Sequence, residues 1–144
     1  MSRDTRFANR VATIDRLPLA RVALAAAITL AGVHKLVAPA PWDAMGVQSW
    51  ADTLLPVSTR TWTLANAVGE LLVGLLLFTT RYTAPLAAFV FLSLSGTLCY
   101  IALAAVTGAN VGIGTELLVI IAIHDIGLAG LAARVTLDAL TRDS

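Results

Sequence analysis

The sequence predicts an all-α fold: a bundle of four transmembrane helices with a short amphipathic segment on the outer surface. Three observations carry that expectation. Hydrophobic residues make up 58% and charged residues 13% of the 144-residue chain, and mean hydropathy is +0.81, whereas ordinary soluble domains are roughly 45–50% apolar and about 25% charged. The charged side chains, 10 Lys and Arg with 9 Asp and Glu, cluster at segment ends and cannot coat a small water-soluble domain. Four stretches, 17–38, 62–80, 84–107 and 115–133, approach the ~20 apolar residues needed to cross ~30 Å of hydrocarbon. They are expected to form one integral membrane domain over 1–144, with residues 1–16 as a cytoplasmic segment.

The first stretch is expected to be a retained helix, not a cleaved signal peptide. The segment before it mixes acidic and basic groups, Arg21 interrupts the apolar run, and the late Ala38–Ala40 pattern is followed by Pro41, a poor residue after a cleavage point. The loop over 38–61 carries Val47, Trp50, Leu54 and Val57 at helical spacing with Asp43, Gln48 and Asp52 between them, up to Pro56. That pattern predicts a short amphipathic helix lying on the outer surface, with an irregular loop as the alternative. Spans two and three are separated by Arg81, Tyr82 and Thr83, with Pro85 placed for a first helical turn, which predicts a tight antiparallel hairpin. The stretch GANVGIG, 108–114, reads as an outer turn before the last span. Small residues in spans three and four (Ser93, Ser95, Gly96 and Cys99; Gly127, Ala129, Gly130 and Ala132) are expected to permit close helix approach.

Arginines at 3, 6, 10, 16, 81, 134 and 142 fall on one side of the four-span arrangement, and Arg60 with Lys35 on the other. The positive-inside rule then puts both termini in the cytoplasm, with Trp42, Trp50 and Trp62 at the outer headgroup level. A formal net charge of +1 and scattered basic residues argue against a nucleic-acid partner. Cys99 is the single cysteine, which excludes a disulfide within one chain, a CxxC redox pair and a thiolate zinc site, and no metal site is expected.

Ionisable side chains inside a span cost several kcal/mol and usually face the bundle interior with partners. Here they are Arg21, His34, Lys35, Glu70, Glu116, His124 and Asp125. Counting from the outer end of each span places Lys35 at ~5 Å depth, Glu70 at ~12 Å, Asp125 at ~15 Å and Arg21 at ~25 Å. Glu70 and Asp125 thus share a level, with His124 adjacent and Asn66 one turn above Glu70. Arg21 and Lys35 lie on one face of the first helix, below and above that level, and both heads can approach it. Either cation can instead snorkel to its own headgroup layer. Glu116 suits the N-terminus of the last helix, with Lys35 as a possible partner. His34 reads as an interfacial or hydrogen-bonded residue. The two mid-membrane carboxylates suit proton handling or recognition of a polar head group, and equally a structural ion-pair core.

The order of these residues resembles a known family. Arg21 early in the first helix, the AGVHKL ending with Gly32 and Lys35 before prolines and Trp42, and the hairpin NAVGELLVGLLLFTTRYTAP with Glu70, Gly74 and Arg81 are together similar to the DoxX family of small four-helix membrane proteins. The resemblance covers about residues 17–86. Ala25 stands where a glycine is expected four residues after the helix-one arginine, and both are small. The resemblance implies a plasma-membrane protein that in some members is a subunit of a thiosulfate to quinone oxidoreductase or another redox-linked complex. The extra soluble domain of some thiosulfate-acting relatives is not in this sequence, and no second cysteine permits the disulfide chemistry of related methylamine-utilisation proteins.

Three functions follow as expectations. The first is a membrane or accessory subunit of a quinone-linked redox complex, conceivably in sulfur metabolism, with quinone as a non-covalent ligand, protons relayed by the carboxylates and electrons supplied by a partner protein, since no haem, flavin or iron–sulfur motif is present. The second is a structural or assembly protein without its own ligand, and the third a small proton- or ion-coupled transporter, possible as a homo-oligomer in the lipid bilayer.

Overall fold

The computed structural model describes residues 16–46, 57–79, 81–107 and 114–141. They form five helices: α1 (Arg16–Val37), α2 (Ala40–Gly46), α3 (Thr59–Leu77), α4 (Thr83–Thr107) and α5 (Thr115–Leu140). Four are long, and among the described residues there are no strands. Leu19–Val37, Thr83–Thr107 and Thr115–Leu140 are each long and apolar enough to cross a membrane. The large side chains they expose, such as Phe89, Leu92, Ile120, Ile123 and Ile126, suit lipid, because a water-soluble monomer rarely leaves contiguous apolar patches beyond a few hundred Å². The chain is an integral, multi-pass membrane protein. α3 is the more polar fourth helix and falls outside those three spans, carrying Arg60, Thr61, Thr63, Asn66 and Glu70 within its 19 residues.

Helix boundaries follow local chemistry. The Ser58 side chain accepts a hydrogen bond from Thr61 N at 3.2 Å, so α3 begins before the apolar stretch does. It ends where Phe78 N and Thr79 N turn back to Leu75 O and Leu76 O. Tyr82, with φ of 64°, takes the left-handed conformation that reverses the chain into α4, a posture that costs a non-glycine residue about 1–2 kcal/mol. The Arg81 guanidinium lies over its ring at 5.0 Å. α5 runs beyond the predicted span to Leu140, helped by an Arg134–Asp138 pair at 2.7 Å one turn apart. The expected amphipathic segment falls on 47–57, of which 47–56 lie outside the described residues; the short helix that is described, α2, precedes it.

The strongest packing pairs α1 with α3 and α4 with α5, and α1 also meets α5. α1 and α3 run antiparallel, as Lys35 meets Glu70, Gly32 meets Ala67 and Leu71, Gly74 meets Thr29, and Arg21 meets Thr79. Their backbones approach closely at two glycines. A Cβ on Gly32 would lie 2.7 Å from Ala67 O and 2.8 Å from Leu71 N, and one on Gly74 would lie 2.6 Å from Thr29 N. The small residues expected to serve this purpose in the later helices divide differently. Ala129 and Ala132 are buried, but a Cβ at Gly96, Gly127 or Gly130 would meet nothing within 4 Å.

The tight α3–α4 hairpin expected from the short connection is not what the chain forms: the two helices are joined by a close turn yet touch only sparsely. The reason is where the core sits. Leu24, Ala25, Ile28, Leu77, Ala87, Val90, Ala132 and Val135 make one buried cluster drawn from all four long helices, and every member lies toward the turn end. Toward α2, α3 is held by α1 and α4 by α5, so the turn partners part.

Gly74→Ala should therefore strain α1 against α3 and lower stability by about 1–3 kcal/mol, the usual range for overpacking. Gly127→Ala should leave stability unchanged or raised, because its Cβ enters open space. Unfolding midpoints of both variants in a mixed-micelle titration check the contrast.

Candidate functional site

Lys35 is buried, with 6% of its surface exposed, and its Nζ donates a hydrogen bond to Glu70 Oε1. The ammonium turns inward, away from the headgroup layer. Trp42 explains why outward snorkelling is closed to it. After Pro39 the chain folds into α2, which lays the Trp42 ring 4.6 Å from Nζ as a cation–π lid. That ring is fixed in turn: Trp42 Nε1 donates to His34 Nδ1 at 3.0 Å, with the two rings edge to face at 77°. Because His34 Nδ1 accepts, this arrangement needs the neutral tautomer with its proton on Nε2. Asp43, the next residue of α2, accepts from Arg60 of α3 at 3.1 Å, and Tyr100 of α4 donates to Met45 O at 3.0 Å. α2 is thus tied to both sides of the opening between α3 and α4.

That opening holds two adjoining clefts. The upper one, about 400 Å³, is bordered by Lys35, Trp42, Trp62, Asn66, Thr97 and Tyr100. The lower one, about 250 Å³, is bordered by Glu70, Ile28, Val73, Phe89 and Leu94. Trp62, Asn66 and Ser93 border both. Two helical faces form the walls: Thr59, Trp62, Thr63, Asn66 and Glu70 on α3, and Ser93, Gly96, Thr97 and Tyr100 on α4. Both follow the i, i+3, i+4, i+7 spacing that marks one side of a helix.

The remaining expected site residues divide between near and far. Asp125 of α5 is buried, with 8% exposed, and lies close enough to Glu70 for the two carboxylates to repel. His124 Nδ1 is 3.1 Å from Asp125 Oδ1, but its ring is largely exposed on the bundle surface. Arg21 does not join the cluster. Its Nη1 donates to Thr79 O at 3.2 Å, at the far end of α3, where the last carbonyls of a helix lack intrahelical partners. Glu116 is exposed in the first turn of α5, and Lys35 pairs with Glu70 instead. Glu70 Oε2 is buried with no hydrogen-bond partner among the described residues, and no three His, Cys, Asp or Glu side chains there gather as a metal site. Sequence reasoning assigned Trp42 and Trp62 to the headgroup belt and Ser93 and Gly96 to packing. The signal that places them here is the pair of polar stripes, which face each other only because α3 and α4 diverge.

The fold and the site together define a small, all-helical integral membrane protein with a buried Lys–Glu pair at the edge of a cleft. Residues 17–105, well over half of the chain, match the DoxX family profile, and the chain belongs to the DoxX family. The matched stretch holds the Lys35–Glu70 pair and every residue bordering the clefts; the whole of α5, with His124 and Asp125, lies beyond it. No curated protein and no solved structure matches the chain.

Lys35→Met or Glu70→Leu alone strands a buried charge and should cost about 3–5 kcal/mol, whereas the double variant should recover most of that loss. A double-variant cycle on unfolding midpoints checks the coupling; losses that simply add would contradict it.

Proposed function

We propose that this protein is a membrane or accessory subunit of a quinone-linked redox complex, with the Lys35–Glu70 pair as the polar centre of a head-group pocket. The observation that carries the reading is Glu70 Oε2, without a partner among the described residues, beside an ammonium at the junction of two clefts bordered by aromatic rings. A buried carboxylate oxygen without a donor is costly, and a ligand hydroxyl or amide satisfies it. Lys35 carries three donors, of which one is committed to Glu70, so acceptor and donor stand side by side. That pairing fits the head of a quinone/hydroquinone couple, Lys35 serving the carbonyl of the oxidised form and Glu70 the hydroxyl of the reduced one, and the couple supplies the two-electron chemistry when bound.

In this reading Lys35 orients the head by donating to its oxygen, and Glu70 holds or releases a proton at that position. Trp42 and α2 keep bulk water from the pair, which strengthens both interactions. Asp125, within Coulomb range of Glu70, is the next proton acceptor, and His124 at its side connects it to the bundle surface. Electrons come from a redox partner protein, with sulfur metabolism as one setting. The protein sits in the plasma membrane with both termini cytoplasmic, as the arginine distribution indicates.

Protein purified from native membranes should carry quinone above the level found in an unrelated four-span control. Glu70→Gln should lower that content several-fold without unfolding the protein. Extraction followed by chromatographic assay provides the measurement, and quinone at control level in the parent protein would sink the proposal. The Lys35→Met/Glu70→Leu double variant separates the assembly alternative, which expects a folded protein with its cellular phenotype intact.

A further inference from the structure

We infer that the gap between α3 and α4 is a lateral entry site for a neutral amphiphile whose ring head carries hydroxyl donors, with its apolar chain in the lower cleft. The inference rests on the quinone-linked reading of the same pocket and adds which redox form is held and how it arrives. Three observations carry it.

The first is the balance of hydrogen-bonding groups. Glu70 Oε2 is an acceptor without a donor among the described residues, and the Glu70 side chain borders the lower cleft. A hydroxyl both donates to that oxygen and accepts from Lys35 Nζ. A bare carbonyl accepts from Lys35 but leaves Oε2 unsatisfied, a penalty that favours the hydroxyl form.

The second is charge. Lys35 pairs with Glu70, and the buried Asp125 lies close enough to Glu70 to repel it, so the cluster already holds more negative than positive groups. An anionic head would add a third negative group in a low-dielectric setting, so a neutral head is favoured over an oxyanion.

The third is the change of lining along the gap. Toward α2 the walls offer Trp62, Thr63, Asn66, Thr97 and Tyr100. Deeper they turn to Ile28, Val73, Phe89, Val90 and Leu94. A ring with a chain has the same gradient. The gap lies between two helices that touch only sparsely, and Trp62 and Phe89 at its edges are more than half exposed on the outer surface of the bundle. Gly69 borders the lower cleft and Gly96 the upper, each with open space where a Cβ would stand. Larger side chains there fill the gap without disturbing the core.

The test is equilibrium binding of a decyl-chain hydroquinone, the matching decyl-chain benzoquinone and a chainless hydroquinone to the full chain in lipid nanodiscs, each corrected against empty discs. The decyl hydroquinone should bind saturably and about tenfold more tightly than the benzoquinone, the ratio that one unsatisfied buried acceptor produces. Gly69→Leu and Gly96→Leu, checked for unchanged helicity and unfolding midpoint, should each weaken it by about tenfold or more, and the chainless ring should bind far less. Equal affinity for the two redox forms, equal binding of the chainless ring, or insensitivity to both leucine variants overturns the inference while the quinone-linked reading stands. Failure of both decyl rings to bind overturns the two together.

Discussion

The distance between α1 and α3 at Gly32 and Gly74 is the constraint on which the rest of the bundle depends. Lipid supplies no hydrophobic drive to bring two apolar helices together, so their association rests on close van der Waals contact and on polar groups that have no better partner. Both are present along this seam. A Cβ at either glycine would lie 2.8 Å or less from two atoms of the facing helix, so only glycine allows this approach, and the Lys35–Glu70 pair locks the register one turn further on. An ammonium of the same length on more widely spaced helices would have reached water. Here the stem of Lys35 is buried along α3 and Trp42 lies above its head, so the carboxylate is the partner within reach.

The same seam decides where the bundle opens. α3 is committed to α1 along its length, and α4 is committed to α5, while the turn at 78–82 forces α3 and α4 together at one end alone. The shared core at that end, with Leu24, Leu77 and Val135 fully buried, closes the bundle like the hinge of a pair of tongs. The opposite end is left with two helix faces that stand apart, with clefts between them. Gly69, Ser93 and Gly96 keep the gap clear. α2 then crosses the mouth, fastened through Asp43 to α3 and through Met45 to α4.

Much of this fold was legible in the sequence because the membrane allows so few solutions. Long apolar runs become helices, and charged residues in the middle of them must find each other. Depth counting was enough to bring Glu70 and Asp125 to one level. It was not enough to separate Lys35 from Arg21, which share a helix face and have similar reach. Lys35 turns inward because α2 folds Trp42 over it; Arg21 turns to Thr79 O because the end of α3 offers bare carbonyls nearby. Neither fact follows from spacing within α1. The roles of the glycines were hidden for a related reason. On a membrane helix the face that meets lipid and the face that meets protein are both apolar, so periodicity does not say which of Gly32, Gly74, Gly96 and Gly127 lies in a contact. The stripe at 93, 96, 97 and 100 was visible as a pattern, but its meaning depends on α3 and α4 standing apart.

An ion pair whose sole task is to fix helix register is best closed on all sides, because every unsatisfied oxygen in a low-dielectric interior subtracts from its worth. Lys35 and Glu70 are not closed in that way. The lysine spends one of three donors on Glu70, the glutamate leaves one oxygen without a partner among the described residues, and Asp125 adds a second negative group nearby that this lysine does not pair with. An apolar replacement of equal volume is often as stable as a buried ion pair or more so, and this pair sits where two clefts open beside it. A structural role accounts for the pair but not for the open oxygen, the surplus carboxylate and the cleft together. The ligand proposed above, donating to Glu70 and accepting from Lys35, would account for the open oxygen and the cleft, since it completes the hydrogen bonds that the described helices leave unfinished.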